Sequence, residues 1–235
     1  MCERGFRFSP FLFGIFHSPY PVDYRCGETV SNIIFMKFLL SIDDGSNFDL
    51  KLAELLKKYN LTATFFIPSN CELKEDDILK LHKDGHKIGG HTKTHYHDLK
   101  KLTKEEQKYE MLSNKQWLEE IIKEEVTDFC YPKGKYNSVS VEALKEVGFK
   151  TARTTVTGNI EMPEDLFRIR TSVHVYPSNA RFNKPDWYKC ALSLYKKAKK
   201  NNGYFHIWMH SWELQKFDLW DELEDFFKFI KFYEN

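Results

Sequence analysis

The sequence has no Cys-x-x-Cys pair, no glycine-rich phosphate loop and no apolar run long enough to cross a bilayer, and each absence removes a class of function. Its five cysteines (Cys2, Cys26, Cys71, Cys130 and Cys190) are odd in number and widely spaced. Such a set neither builds a disulfide scaffold nor supplies a thiolate zinc site, and it fits a reducing compartment. Without GxGxxG or a Walker-type loop, a nucleotide has no cradle. The formal net charge is +1, from 35 basic and 34 acidic residues. There is thus no basic field to attract nucleic acid and no acidic tail. The apolar run Phe11–Phe16 is broken by Gly14. It is too short for a transmembrane helix and lacks a clean cleavage site after it. The expectation is a cytoplasmic protein. Residues 1–35 read as an N-terminal appendage, or as chain upstream of a misread start, and residues 36–235 as the domain.

What is present is an alternation of strand-like and helix-like segments. Lys37–Ile42 is an apolar run ending at Asp43-Asp44-Gly45, a strand followed by a turn. Further strands read at Leu61–Ile67, Lys87–Gly90, Val126–Tyr131, Phe149–Val156, Phe167–Val175 and Tyr204–Met209. Between them, apolar residues recur at helical spacing, as in Leu52, Leu55, Leu56 and Tyr59. Thr103 and Glu106 read as a capping box that opens a long polar helix to about Glu125, whose Lys and Glu residues predict a solvated face. Such alternation implies an α/β fold with a mostly parallel sheet. It suits a small or incomplete βα barrel, with an open doubly wound sheet as the alternative. Aromatics make up 16% of the chain; they fill a core or offer a surface for stacking sugars.

Three polar groups fall where strands end, the face on which parallel barrels carry their sites. Asp43-Asp44-Gly45 puts two like charges side by side, which favours a bound cation or proton; a solvated Asp-Gly turn is the simpler alternative. His91-Thr-Lys-Thr-His95 spaces two imidazoles at i and i+4, close enough to share a cation in one helical turn. Gly89-Gly90 lets the chain turn tightly before them, and His97 reads as surface. His206, Trp208 and His210 share one face of the last strand, with His210 at the site end and His206 deeper, as a satisfied core histidine. One carboxylate and two imidazoles form a common catalytic zinc set with a position left for water. A second carboxylate and a third histidine then remain as base and acid.

These residues resemble the NodB-homology polysaccharide deacetylases, carbohydrate esterase family 4. Ser41-Ile-Asp43-Asp44-Gly45 is similar to that family's first motif and His91-Thr-Lys-Thr-His95 to its second. Tyr131-Pro132-Lys133-Gly134 stands where the third falls, and His210 matches the closing histidine. The resemblance implies a distorted (β/α)7 barrel. It implies that Asp44, His91 and His95 hold one divalent metal, zinc first and cobalt, nickel or manganese as alternatives. It implies Asp43 as base, His210 as acid and the backbone N–H near Lys133 as an oxyanion donor. The implied reaction is hydrolysis of an N-acetyl group on an amino sugar or polysaccharide.

The chain departs from the family in three places. Cys130 occupies the position of the third motif's arginine, and Arg153 is the candidate to brace the base in its stead. The fourth motif, an Asp-Trp pair, has Asp186-Trp187 as its sole candidate, and that pair also reads as a helix start. Tyr131, Pro132 and Trp212 are candidate substrate-pocket residues, with rim packing the alternative for Trp212. These departures keep two further readings open. One is a hydrolase of another C–N bond, in a cyclic imide or ureide; the other is a catalytically idle, metal-containing carbohydrate-binding domain. The partner is a carbohydrate or small amide, not a nucleic acid.

Overall fold

The computed structural model describes residues 36–177 and 185–234; the reading of residues 1–35 lies outside them. Seven strands form one parallel sheet: β1 (Lys37–Asp43), β2 (Thr64–Ile67), β3 (Lys87–Gly90), β4 (Asp128–Cys130), β5 (Thr151–Arg153), β6 (Val173–His174) and β7 (Tyr204–Met209). Their spatial order is β5-β4-β3-β2-β1-β7-β6, which places the two longest strands, β1 and β7, side by side. The described residues also form seven α-helices: α1 (Asp49–Lys58), α2 (Glu75–Lys83), α3 (Lys104–Ile122), α4 (Ser138–Val147), α5 (Trp187–Lys200), α6 (Ser211–Lys216) and α7 (Trp220–Glu234). None of the described helices is long and apolar enough to cross a membrane.

The strand ladders are shorter than the apolar runs suggest, most of all around β5 and β6. Between them the chain is irregular, and this segment spans the gap between the two sheet edges. Ala152 donates to the Leu166 carbonyl at 2.7 Å and Thr154 to the Ile169 carbonyl at 2.8 Å. On the other side Tyr204 donates to the Ile160 carbonyl at 2.9 Å, and Ser172 to that of His206 at 2.8 Å. Backbone groups at both edges are thereby paired without a regular strand. This is the distorted (β/α)7 barrel the resemblance implies.

Period-two alternation divides β1. Leu40 and Ile42 join the main apolar core, whereas Ser41 and Asp43 make polar contacts with His206 and Arg153. The His206 Nε2 lies 2.8 Å from Ser41 Oγ and its Nδ1 lies 2.7 Å from the Tyr204 hydroxyl, so it is a satisfied core histidine. Helix starts follow local chemistry. The Thr103 hydroxyl accepts the Glu106 N–H, and Glu106 accepts the Thr103 N–H at 2.8 Å. Asp186 caps α5 by accepting the Lys189 N–H at 3.1 Å, so Asp186-Trp187 is a helix start. The polar helix α3 is not solvated all round. Gln107, Glu110, Met111, Asn114, Lys115, Leu118 and Ile122 are buried, a stripe at helical spacing. Lys115 reaches the Val126 carbonyl at 2.6 Å and Glu119 at 2.6 Å, which satisfies its buried ammonium.

Candidate active site

The strand ends deliver the polar residues to one place. Asp44 leaves β1 with φ 83° and Gly45 follows at φ 65°. A Cβ on Gly45 would lie 2.7 Å from that of Cys71, so only glycine fits this turn. His91 and His95 do not share a helical turn as the spacing suggested. The loop between them is irregular, with Thr92 at φ 68° and His95 at φ 53°, and it folds both rings towards Asp44. Strained backbone of this kind persists where the surroundings fix it. Here Asn114 and Glu110 of α3 do so. Asn114 accepts the His91 N–H at 2.8 Å and donates to the Ile67 carbonyl and Ser69 Oγ, each at 3.0 Å. Glu110 accepts the Thr94 N–H at 2.8 Å and its hydroxyl at 3.0 Å. Gly89 and Gly90 close β3, as the strand read from the sequence has it, and the tight turn expected of them is not made there. A Cβ at Gly90 would lie 2.8 Å from the Phe149 ring and 3.1 Å from Asn114 Oδ1, so the glycine serves close approach.

The Nε2 atoms of His91 and His95 lie 3.5 and 3.3 Å from Asp44 Oδ1. His91 Nδ1 lies 2.7 Å from the Cys130 carbonyl oxygen. A carbonyl only accepts, so in the neutral ring Nδ1 carries the proton and Nε2 presents its lone pair. Burial, with help from His91, pushes His95 down to about 4, so that ring is neutral near pH 7. Burial alone would raise Asp44, but the hydrogen bond with His91 and the charge of His210 outweigh it and hold its carboxylate well below the usual range. Its Oδ1 is buried and has no hydrogen-bond partner. Two imidazole Nε2 atoms thus face an orphaned carboxylate oxygen, with ligand atoms all within 4.8 Å of one another. That donor set fits one divalent cation.

Asp43 is buried and paired with Arg153 through the latter's Nη2, which also lies 2.9 Å from Cys130 Sγ. Burial would raise the Asp43 carboxyl, but Arg153 and then His91 and His210 keep it below its ordinary value. Arg153 is itself held between rings, its guanidinium carbon 5.3 Å from the Phe66 centroid and 4.7 Å from that of Trp208.

His210 lies with Nε2 3.6 Å from Asp44 Oδ2 and Nδ1 2.7 Å from Glu213 Oε2. The same Glu213 oxygen is 3.0 Å from His174 Nε2, and His174 stacks on Trp208 with centroids 3.8 Å apart. Burial opposes charge on His210, but Glu213, then Asp43 and Asp44, raise its pKa. Glu213 and His174 were not singled out for this role from sequence. For Glu213 the signal was present: a carboxylate three residues after a strand-end histidine, in the first turn of a helix.

Trp212 borders a cavity of about 320 Å³ together with Asp44, Ser46, Asn70, Glu72 and His95, and its Nε1–H donates to Asp44 Oδ2 at 3.1 Å. Lys133 has φ 53° in the turn after β4. Tyr131 and Pro132 are buried. The Tyr131 hydroxyl donates to the Phe167 carbonyl at 3.0 Å and its ring stacks on Tyr136 at 4.2 Å, which puts the side chain in the packed wall and not in this cavity. His97 is exposed, its ring 5.4 Å from that of His95.

Known proteins resemble this chain in sequence and in fold. The family model described as Polysaccharide deacetylase matches residues 36–152. A candidate polysaccharide deacetylase of Bacillus subtilis (strain 168), YxkH, is 29% identical over 143 residues, 57% of this chain and 51% of its own. A peptidoglycan-N-acetylglucosamine deacetylase of Bacillus cereus is 29% identical over 136 residues, 56% of this chain and 61% of its own. The chain therefore spans only about half to three fifths of these relatives' lengths. The solved structure of Bacillus subtilis PdaA, a family 4 carbohydrate esterase, superposes with a TM-score of 0.60 at 20% identity, covering 84% of this chain and 75% of that one. The sequence match over β1 to β5, the shared barrel and the grouped motif residues have one common explanation: this chain is a divergent member of the polysaccharide deacetylase family.

Proposed function

We propose that the chain is a metal-dependent hydrolase that removes N-acetyl groups from an amino sugar or polysaccharide. The observation that carries this reading is the pairing of both candidate proton-transfer groups beside the cation site: Asp43 with Arg153, and His210 with Glu213. A cation site alone has no need of either pair. Asp44, His91 and His95 would hold the metal, zinc being the first choice for one carboxylate and two imidazoles. Once bound, such an ion polarises an amide carbonyl and lowers the pKa of water. Asp43, kept ionised by Arg153, accepts the water's proton. The backbone N–H of Lys133 serves the developing oxyanion. His210, oriented and kept charged by Glu213, protonates the leaving amine. The cavity edged by Trp212 offers an aromatic face to a sugar ring.

Acetate release from N-acetylated chito-oligomers, run beside turnover of a hydantoin, tests the substrate class. Acetate release with no hydantoin turnover is expected. Turnover of the hydantoin alone would move the reading to cyclic amides, and binding of the oligomer without any hydrolysis would reduce the chain to an idle carbohydrate-binding domain.

A further inference from the structure

The two oxygens of Asp44 have different surroundings. Oδ1 is buried, has no hydrogen-bond partner and faces Nε2 of both His91 and His95. Oδ2 accepts the indole N–H of Trp212 at 3.1 Å. An indole nitrogen only donates and carries no charge. It therefore engages one oxygen without competing as a ligand and without neutralising the carboxylate.

The indole is itself held by the short helix α6. Ser211 before it donates to Asp49, a buried carboxylate at the start of α1. Glu213 after it binds His210 and His174. The Trp212 ring lies 5.3 Å from that of His210, tilted by 36°. Turning the Asp44 carboxylate out of this plane would break the indole bond, so the indole fixes the orientation in which a single oxygen meets the histidines. Partners of this kind set the orientation and basicity of a metal ligand, and their loss typically costs 10–100-fold in metal affinity.

The geometry points to Trp212 as a positioning residue for the cation: its N–H locks Asp44 so that Oδ1 alone is presented with His91 and His95. This rests on the reading of Asp44, His91 and His95 as the cation site. It differs from a role for Trp212 as rim packing, which needs the ring but not the N–H.

The test is zinc affinity of the full chain, by competition with a chromophoric chelator, for wild type, Trp212→Phe, Trp212→Leu and Asp44→Asn, alongside thermal melting of each metal-free protein. Wild type is expected to bind one equivalent, and Asp44→Asn to lose binding. Trp212→Phe should weaken binding by about 10-fold or more while the metal-free melting temperature stays near wild type. Trp212→Leu should be as weak as Trp212→Phe, because both lack the donor. The visible spectrum of the cobalt(II)-loaded Trp212→Phe protein should also change, since the second Asp44 oxygen is freed. Wild-type affinity and an unchanged cobalt spectrum in Trp212→Phe would overturn this inference and leave the cation site standing, and normal affinity in Trp212→Phe with loss in Trp212→Leu would assign the residue to packing. Failure of wild type to bind, or indifference to Asp44→Asn, would instead remove the cation site itself.

Discussion

Arg153 and Cys130 are register partners on neighbouring strands, so their side chains rise from the same face of the sheet. That is why an arginine one strand over reaches Asp43 from beside Cys130. The guanidinium is fully buried between Phe66 and Trp208, and its removal strands the Asp43 charge. Arg153→Ala should destabilise the fold by about 3–5 kcal/mol, read by urea denaturation. It should also move the acid limb of the rate profile to higher pH, because Asp43 loses the partner that holds its carboxyl down. An unchanged rate and profile would remove Arg153 from the site. Glu213→Gln makes a separate prediction. It keeps the shape but removes the charge that orients His210, so kcat should fall by about 10-fold or more with KM little changed, read by initial rates. Asp43 and His210 were legible as candidates because each stands at a strand end. The meeting of Glu213 with His174 was not, because it joins α6 to β6 across 39 residues of sequence, and a helix as short as α6 leaves no periodic trace.

At the scale of elements, α3 explains how a loop with two left-handed residues stays in place. Its buried side carries Gln107, Glu110 and Asn114 among apolar residues, and the latter two hold the His91–His95 loop. Charged residues dominate this stretch of sequence and suggest a solvated helix. The stripe emerges only when polar residues are counted as buried at helical spacing, which composition does not reveal. Asn114→Leu leaves the His91 N–H, the Ile67 carbonyl and Ser69 without their partner. The cost should be about 1–3 kcal/mol for each group left unsatisfied, measured by denaturation, with weaker zinc binding by titration. A stable Asn114→Leu protein with wild-type zinc affinity would show that α3 does not support the histidine loop. Strand existence was legible throughout the described residues, while strand length was not. The apolar runs around β5 and β6 predict ladders, yet chain closure is made there by an irregular segment whose backbone bonds follow tertiary position.

At the scale of the molecule, the barrel interior carries a neutral histidine beneath the site. Burial and then Arg153 push His206 down to about 3, whereas an unfolded histidine titrates near 6.5. Its folded pKa is the lower one, so its contribution to stability is whole above about 6.5 and is lost as pH falls towards 3. Unfolding free energy should drop by up to about 1.4 kcal/mol per pH unit from this group. His206→Gln should flatten that slope between pH 6 and pH 4 in denaturation curves. An identical slope in the variant would assign acid sensitivity elsewhere. The barrel and the grouping of motif residues at strand ends were legible because strand alternation and strand-end polarity are local in sequence.

The central claim is that Asp44, His91 and His95 hold a metal that Asp43 and His210 use in deacetylation. Its most direct test is acetate release from an N-acetylated chito-oligomer by the zinc-loaded chain, by the chain after chelation and zinc return, and by Asp43→Asn. Release should be lost on chelation and restored by zinc, and should fall by at least about 100-fold in Asp43→Asn at unchanged zinc affinity. Release that survives chelation, or that persists at full rate in Asp43→Asn, would contradict it.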